Sequence, residues 1–177
     1  MELASQRLVL RPVAVDDLDF SVQLRNSLDH LASPRPEPRP RAEAERQLRR
    51  AVEQWREQGF GSWTVVDRGS SERLGRIELE SIGPGWPAIA PDEVEVGCVL
   101  DPAHWNHGIA TEATQLAIED FFGRVGRRRL VALASADNPA SLRVLEKLGM
   151  RCCGETHREG DVTPYLLFEL VRPDAWA

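Results

Sequence analysis

No stretch of the chain approaches the ~20 consecutive apolar residues that a membrane-spanning helix needs. The basic surplus typical of nucleic-acid binders is also missing: 22 Lys and Arg stand against 28 Asp and Glu, a formal charge of −6. Cysteine is scarce. Three cysteines in 177 residues are too few for a disulfide scaffold, and the adjacent Cys152 and Cys153 lack metal-ligand spacing. His104 and His107 stand three apart, but no nearby Asp, Glu or Cys pattern completes a site, so no metal is expected. The opening MELASQRLVLRP is charged and alternating, unlike a secretion signal. These absences exclude a membrane partner, a nucleic-acid partner and a disulfide-stapled fold. They leave the expectation of one cytoplasmic domain over residues 1–177, long enough to bury a sizeable core.

Along the chain the hydrophobic period changes repeatedly. Residues 7–11 alternate and stop at Pro12, which predicts a first strand. Asp16 and Asp17 precede Leu18, Phe20, Val22, Leu24, Leu28 and Leu31, a helical pattern with acids in its first turn. Residues 33–41 alternate proline with charge and predict an extended connector. A second helix is expected over 42–58, with Leu48, Ala51, Val52 and Trp55 on one face and Gly59 as its stop. Residues 61–67, 73–80, 93–100 and 129–134 read as strands, and 109–121 and 139–148 as helices. Residues 150–155 and 165–171 predict a closing hairpin, with Cys152 and Cys153 expected one inward and one outward. The loop 81–92, rich in Gly and Pro, cannot be a strand and is expected to act as a flap. The resulting order is β-α-α-β-β-β-α-β-α-β-β.

The most informative segment is 104–113, HWNHGIATEA, between a strand end and an amphipathic helix. A glycine at a helix entrance lets backbone approach an anion, and the free amides and dipole of the first turn then bind it. Gly108 and the small Ala110 suit such a turn. Neither the Lys and Ser/Thr of a nucleotide-hydrolase loop nor the three glycines of a dinucleotide turn are present. An ordinary strand–loop–helix junction with one close-packing glycine accounts for the same residues.

Residues 105–113, WNHGIATEA, resemble the acyl-CoA pyrophosphate loop of GCN5-related N-acetyltransferases. Within that superfamily they are similar to the ribosomal-protein N-terminal acetyltransferase (RimJ/RimL-like) branch. A second signature, Asp137-Asn138-Pro139-Ala140-Ser141 followed by Arg143-Val144-Leu145-Glu146-Lys147-Leu148-Gly149-Met150, matches its Asn-x-x-Ser and Glu-Lys-x-Gly-Phe/Met helix. Arg7-Leu8-x-Leu10-Arg11-Pro12, Glu95-Val96-Gly97 and the Trp176 tail match as well. Asn106 and His107 depart from the family's Gly and Arg/Lys, which implies weaker and more pH-sensitive acyl-CoA binding. The fold implied is α/β (α+β): a single domain with a mixed central sheet of about six to seven strands flanked by helices. A splay is implied between the strand at 93–100 and that at 129–134.

The resemblance also implies chemistry. Transfer of an acetyl group from acetyl-CoA to a primary amine needs a held thioester, a base, an oxyanion donor and a proton for the thiolate. Glu95 matches the family's general base, with Glu93 on the same strand face as competitor. An oxyanion donor is expected among the backbone amides near Cys98 or Val99, with Leu100 at the end of that strand. Cys98 itself reads as core. Trp105, Asn106, His107, Gly108, Ile109, Ala110 and Thr111 would hold the cofactor, together with Asn138, Ser141 and Arg143. The tyrosine that serves many relatives as acid is replaced by Leu145, which leaves Ser141 as candidate. Ser141 and Asn138 could equally be helix-capping groups. Arg127, Arg128 and Arg129 could meet a cofactor phosphate or form a solvated turn. Trp86, Tyr165 and Glu93 are candidates for the acceptor side, the acceptor being a peptide N-terminus or a small-molecule amine. Transfer of another acyl group, and a catalytically silent acyl-CoA-binding module, are the competing readings; the chain could be a monomer or a homodimer.

Overall fold

Alternating side chains become the two faces of one sheet. The structure, a computed structural model, describes residues 1–32, 40–160 and 163–172. The proline-rich residues 33–39 and Trp176 lie outside the described residues. Among the described residues the strands are β1 (Leu3–Ala4), β2 (Leu8–Pro12), β3 (Trp63–Asp67), β4 (Arg73–Ser81), β5 (Val94–Leu100), β6 (Arg129–Ala134), β7 (Arg151–Thr156) and β8 (Tyr165–Val171). They form one sheet in the order β1-β2-β3-β4-β5-β6-β8-β7. Every neighbouring pair is antiparallel except β5–β6, which is parallel. Eight strands exceed the expected six to seven because β1 has two residues, too few to show a period.

Among the described residues four α-helices flank the sheet: α1 (Leu18–Ala32), α2 (Arg41–Gln58), α3 (Ile109–Asp120) and α4 (Pro139–Lys147). α3 buries Ile109, Ala113, Ala117 and Ile118 in a core with Val94, Val96, Leu100, Leu130 and Ala132 of the parallel pair. α4 adds Leu145 to the same layer. α2 closes the end of the sheet where β3 begins and β4 finishes. There the Gln54 amide donates to the Leu79 carbonyl (2.8 Å) and the Trp55 indole to the Ser62 carbonyl (2.7 Å). Trp55 also meets the fully buried Trp63 edge to face at 4.6 Å, a contact worth about 0.5–1.5 kcal/mol beyond its area.

Asp17, read in the sequence as a first-turn acid, is a buried hub. Its carboxylate is 1% exposed and accepts bonds from Arg11, Arg73, Thr64 and the Ala14 amide, which ties β2, β3 and β4 together. At the far edge the expectation for the cysteines fails. Cys152 and Cys153 are both exposed, because β7 lies beyond the helical layer and carries a register shift between Cys152 and Gly154.

Candidate active site

β5 and β6 lie parallel, so the helices that follow them, α3 and α4, both start at the same end of the pair. A crevice at the carboxyl ends of parallel strands is a frequent place for ligands. The crevice here is opened by the strands themselves. β5 and β6 share one register pair, Glu95 with Val131, whereas β4 follows β5 from Ser81–Val94 to Gly75–Leu100. Gly75 permits that close approach: a Cβ there would lie 2.3 Å from the Val99 carbonyl.

The backbone phase of β5 decides what faces the gap. In an antiparallel pair alternate residues exchange both backbone bonds with the partner. The Ile82 amide donates to the Glu93 carbonyl (2.8 Å) and the Asp101 amide to the Leu74 carbonyl (2.9 Å). The amides of Glu93, Glu95, Gly97 and Val99 therefore face β4, and those of Val94, Val96, Cys98 and Leu100 face β6. The Leu100 carbonyl confirms the phase, because it points away from β4 and accepts the Trp105 indole N–H at 3.0 Å. Of the two oxyanion donors expected, the Cys98 amide faces the gap and the Val99 amide is turned to Arg76 on β4. The Cys98 side chain packs against the main core, and burial pushes its thiol up to about 12, so it stays protonated at neutral pH.

Glu95 stands where the gap begins. Its side chain alternates with buried Val94 and Val96 and so lies on the sheet face opposite α3, with Glu80 directly across and Glu78 beside it. An apolar cluster of Ile89, Val131 and Leu167, joined by Ile82, Trp86 and Leu133, packs on that face. Burial, then the charges of Glu78 and Glu80, push Glu95 up to about 7 against an opposing bond from the Leu133 amide. A carboxyl at that value exchanges protons near neutrality, as a general base must. Glu93 is otherwise engaged: Arg129 bonds both Glu93 (2.6 Å) and Glu169 (3.0 Å). Arg127 donates to the Asp92 carbonyl (2.9 Å), at the opposite end of β5 from the loop after Leu100. Arg127 and Arg129 thus stand about 20 Å from that loop along a seven-residue strand.

The loop after β5 is built on two left-handed residues. Gly108 (φ 76°) caps α3, and Asn106 (φ 63°) takes the other such position. Asn is the side chain best tolerated there after glycine, so the turn forms without a second glycine. The amides of α3's first turn, Ile109, Ala110 and Thr111, follow directly. At α4 the Asn138 carboxamide oxygen accepts the Ser141 amide at 3.1 Å, and Pro139 occupies the first helical position. Asn138 is thus a cap and is exposed, and Ser141 and the exposed Arg143 follow it in the first turns of α4.

Trp86 and Tyr165, the two aromatics expected near an acceptor, come together edge to face at 5.6 Å. The loop 81–92 is anchored rather than free: Ile89 is buried, and the Glu159 amide donates to the Gly85 carbonyl at 2.7 Å. Three long-range contacts support Glu112 and Glu95. Arg7 and Ser5 reach Glu112, and the Leu133 amide reaches Glu95; their partners are 105, 107 and 38 positions away, and no local pattern marks them. No cluster of three metal-binding side chains occurs among the described residues, nor is any helix long and apolar enough to cross a membrane.

A family model described as an acetyltransferase (GNAT) domain matches residues 7–151. The uncharacterized N-acetyltransferase YoaA of Bacillus subtilis is 29% identical over 63% of this chain and 62% of that protein, so the match spans less than two thirds of that relative. A protein described as a GNAT-family acetyltransferase from Bordetella pertussis superposes with a TM-score of 0.80 at 26% identity, covering 98% of this chain and 99% of that one. The ribosomal-protein-S5-alanine acetyltransferase of Vibrio fischeri has the same fold, with a TM-score of 0.78 at 20% identity over 100% and 99% of the two chains.

Proposed function

Since the chain belongs to the GNAT acetyltransferase family, we propose that it transfers an acetyl group from acetyl-CoA to a primary amine by direct attack. The observation that carries this reading is the gap between β5 and β6, which begins at Glu95 and runs to the Gly108 turn. The turn, with Trp105, Asn106, His107 and the first amides of α3, holds the pyrophosphate. The pantetheine arm lies between the strands and takes the strand bonds that β6 does not, with Asn138 and Arg143 flanking it. Glu95 accepts the proton of the attacking amine. The Cys98 amide holds the oxyanion, a role in which one donor is worth about 3–4 kcal/mol. Ser141 stands near the departing thiolate and relays it a proton, regaining one from solvent.

The amine's own acidity supports one acceptor class. A peptide α-ammonium releases its proton near ~8 and a lysine ammonium near ~10, so far more of the α-amine is free to attack at neutral pH, where a carboxyl raised to about 7 can take up the proton. This favours a protein or peptide N-terminus over an alkyl amine. The test is thiol release from acetyl-CoA with three acceptors: a peptide with a free N-terminus, an N-blocked lysine peptide, and a polyamine. At pH 7 the free N-terminus is expected to exceed the lysine peptide about ten-fold or more in kcat/KM. A reversed preference removes the N-terminal acceptor. No thiol release with any amine, together with measurable acetyl-CoA binding, marks a silent module instead.

Trp86 and Tyr165 wall the acceptor approach. Trp86→Ala is expected to raise acceptor KM about five-fold, the size of one lost aromatic contact. Acetyl-CoA affinity should stay unchanged. Steady-state kinetics with each substrate varied in turn reads both.

A further inference from the structure

The loop that holds the pyrophosphate is fastened from outside by the N-terminal segment. Arg7 precedes β2 and lies far in sequence from the loop, yet its Nη2 donates to the His107 carbonyl at 3.0 Å and its Nε to Glu112 Oε2 at 2.6 Å. Ser5 takes the other Glu112 oxygen at 2.6 Å. A Cβ on Gly108 would stand 3.4 Å from Arg7 Nη2, an ordinary contact, so it is the left-handed backbone at this position that calls for glycine. Two consequences bear on an anion. A carbonyl at position 107 aimed into the turn would repel phosphate, and Arg7 holds it on the β2 side. Glu112, in the first turn of α3, would set a negative charge beside the same amides, and Arg7 and Ser5 bind both its oxygens.

We infer that Arg7 is a positioning residue of the acyl-CoA loop: it fixes the His107 carbonyl away from the pyrophosphate and neutralises Glu112. The inference rests on the reading of that loop as the pyrophosphate site.

The test compares acetyl-CoA with S-acetylpantetheine, which carries the same thioester and no pyrophosphate. Arg7→Met is expected to lower the acetyl-CoA to S-acetylpantetheine ratio of kcat/KM about ten-fold or more, the size of one charge-assisted bond. Arg7→Lys should recover part of the ratio, since an ammonium can reach either the carbonyl or Glu112. Melting curves of both variants show how much of any change is general destabilisation. An unchanged ratio in Arg7→Met, or equal losses with both donors, overturns the positioning role. Should the wild-type protein itself fail to favour acetyl-CoA over S-acetylpantetheine, the loop reading falls first and the role of Arg7 with it.

Discussion

Glu95→Gln is expected to lower kcat by about 10²-fold or more, the usual worth of a placed general base, and to leave acetyl-CoA affinity intact. The wild-type pH profile carries the second half of the prediction. With Glu95 pushed up to about 7 by burial and by Glu78 and Glu80, the base is protonated in acid. kcat/KM should therefore rise with pH through that value, and Gln should flatten the rise. Glu80, whose carboxyl is also raised by burial and by Glu78, and Arg76, which is paired with Glu78, face the same patch. The measured midpoint therefore belongs to the group rather than to one residue. Loss of activity cannot be laid to unfolding. A carboxyl that the folded state holds protonated up to about 7, against 4.5 ordinarily, makes the fold less stable as pH rises between those values. Removing it should leave the melting temperature at pH 8 equal or higher. Turnover within about three-fold of wild type, or a rise with pH that persists in the variant, would remove Glu95 as the base.

What could be read from the sequence is what depends on neighbours in the chain. Gly108 opens α3 and Asn138 caps α4, and both were legible, because capping and left-handed turns are decided within a few residues. That Glu95 lies on the strand leading to the turn was legible through the family motif, whereas its position at the register pair with β6 was not. The alternation of β5 alone would have placed its side chain on one face without naming Glu78 and Glu80 as its neighbours. That pairing is a register, and register is set by the fold. The same limit hid the Arg7 bonds, and it divided the two expected oxyanion donors. Cys98 and Val99 are adjacent in sequence, yet only the ladder phase shows that one amide faces β6 and the other β4.

Asp17 carries the other large effect, and it falls on stability rather than turnover. Burial alone would raise this carboxyl, but bonds from Arg11, the Ala14 amide and Thr64 outweigh burial and hold it below its ordinary value. Asp17→Ala leaves the guanidiniums of Arg11 and Arg73 and the buried Thr64 hydroxyl without the acceptor they share. The partly exposed guanidiniums can turn to water, but the Thr64 hydroxyl and the Ala14 amide lose their acceptor at a cost of about 1–3 kcal/mol each, which for a chain of this size lowers the melting temperature by roughly 10 °C. Asp17→Asn keeps the shape and loses the charge, so it should fall between. The sign with pH is opposite to that of Glu95. A depressed carboxyl stabilises the fold above its ordinary value, and this is lost as pH falls through the lower folded-state value. The gap between wild type and Asp17→Ala, measured by denaturant unfolding, should therefore be full at pH 7 and narrow in acid. Arg73 begins β4 and Glu80 lies seven residues further along it, about 23 Å from the hub to the candidate base. Below the melting transition, kcat of Asp17→Ala should stay within about two-fold of wild type, since distant sites act independently. An Asp17→Ala variant within about 1 kcal/mol of wild type would show that Thr64 and the Ala14 amide find water or other acceptors, and that the hub is not what joins β2, β3 and β4.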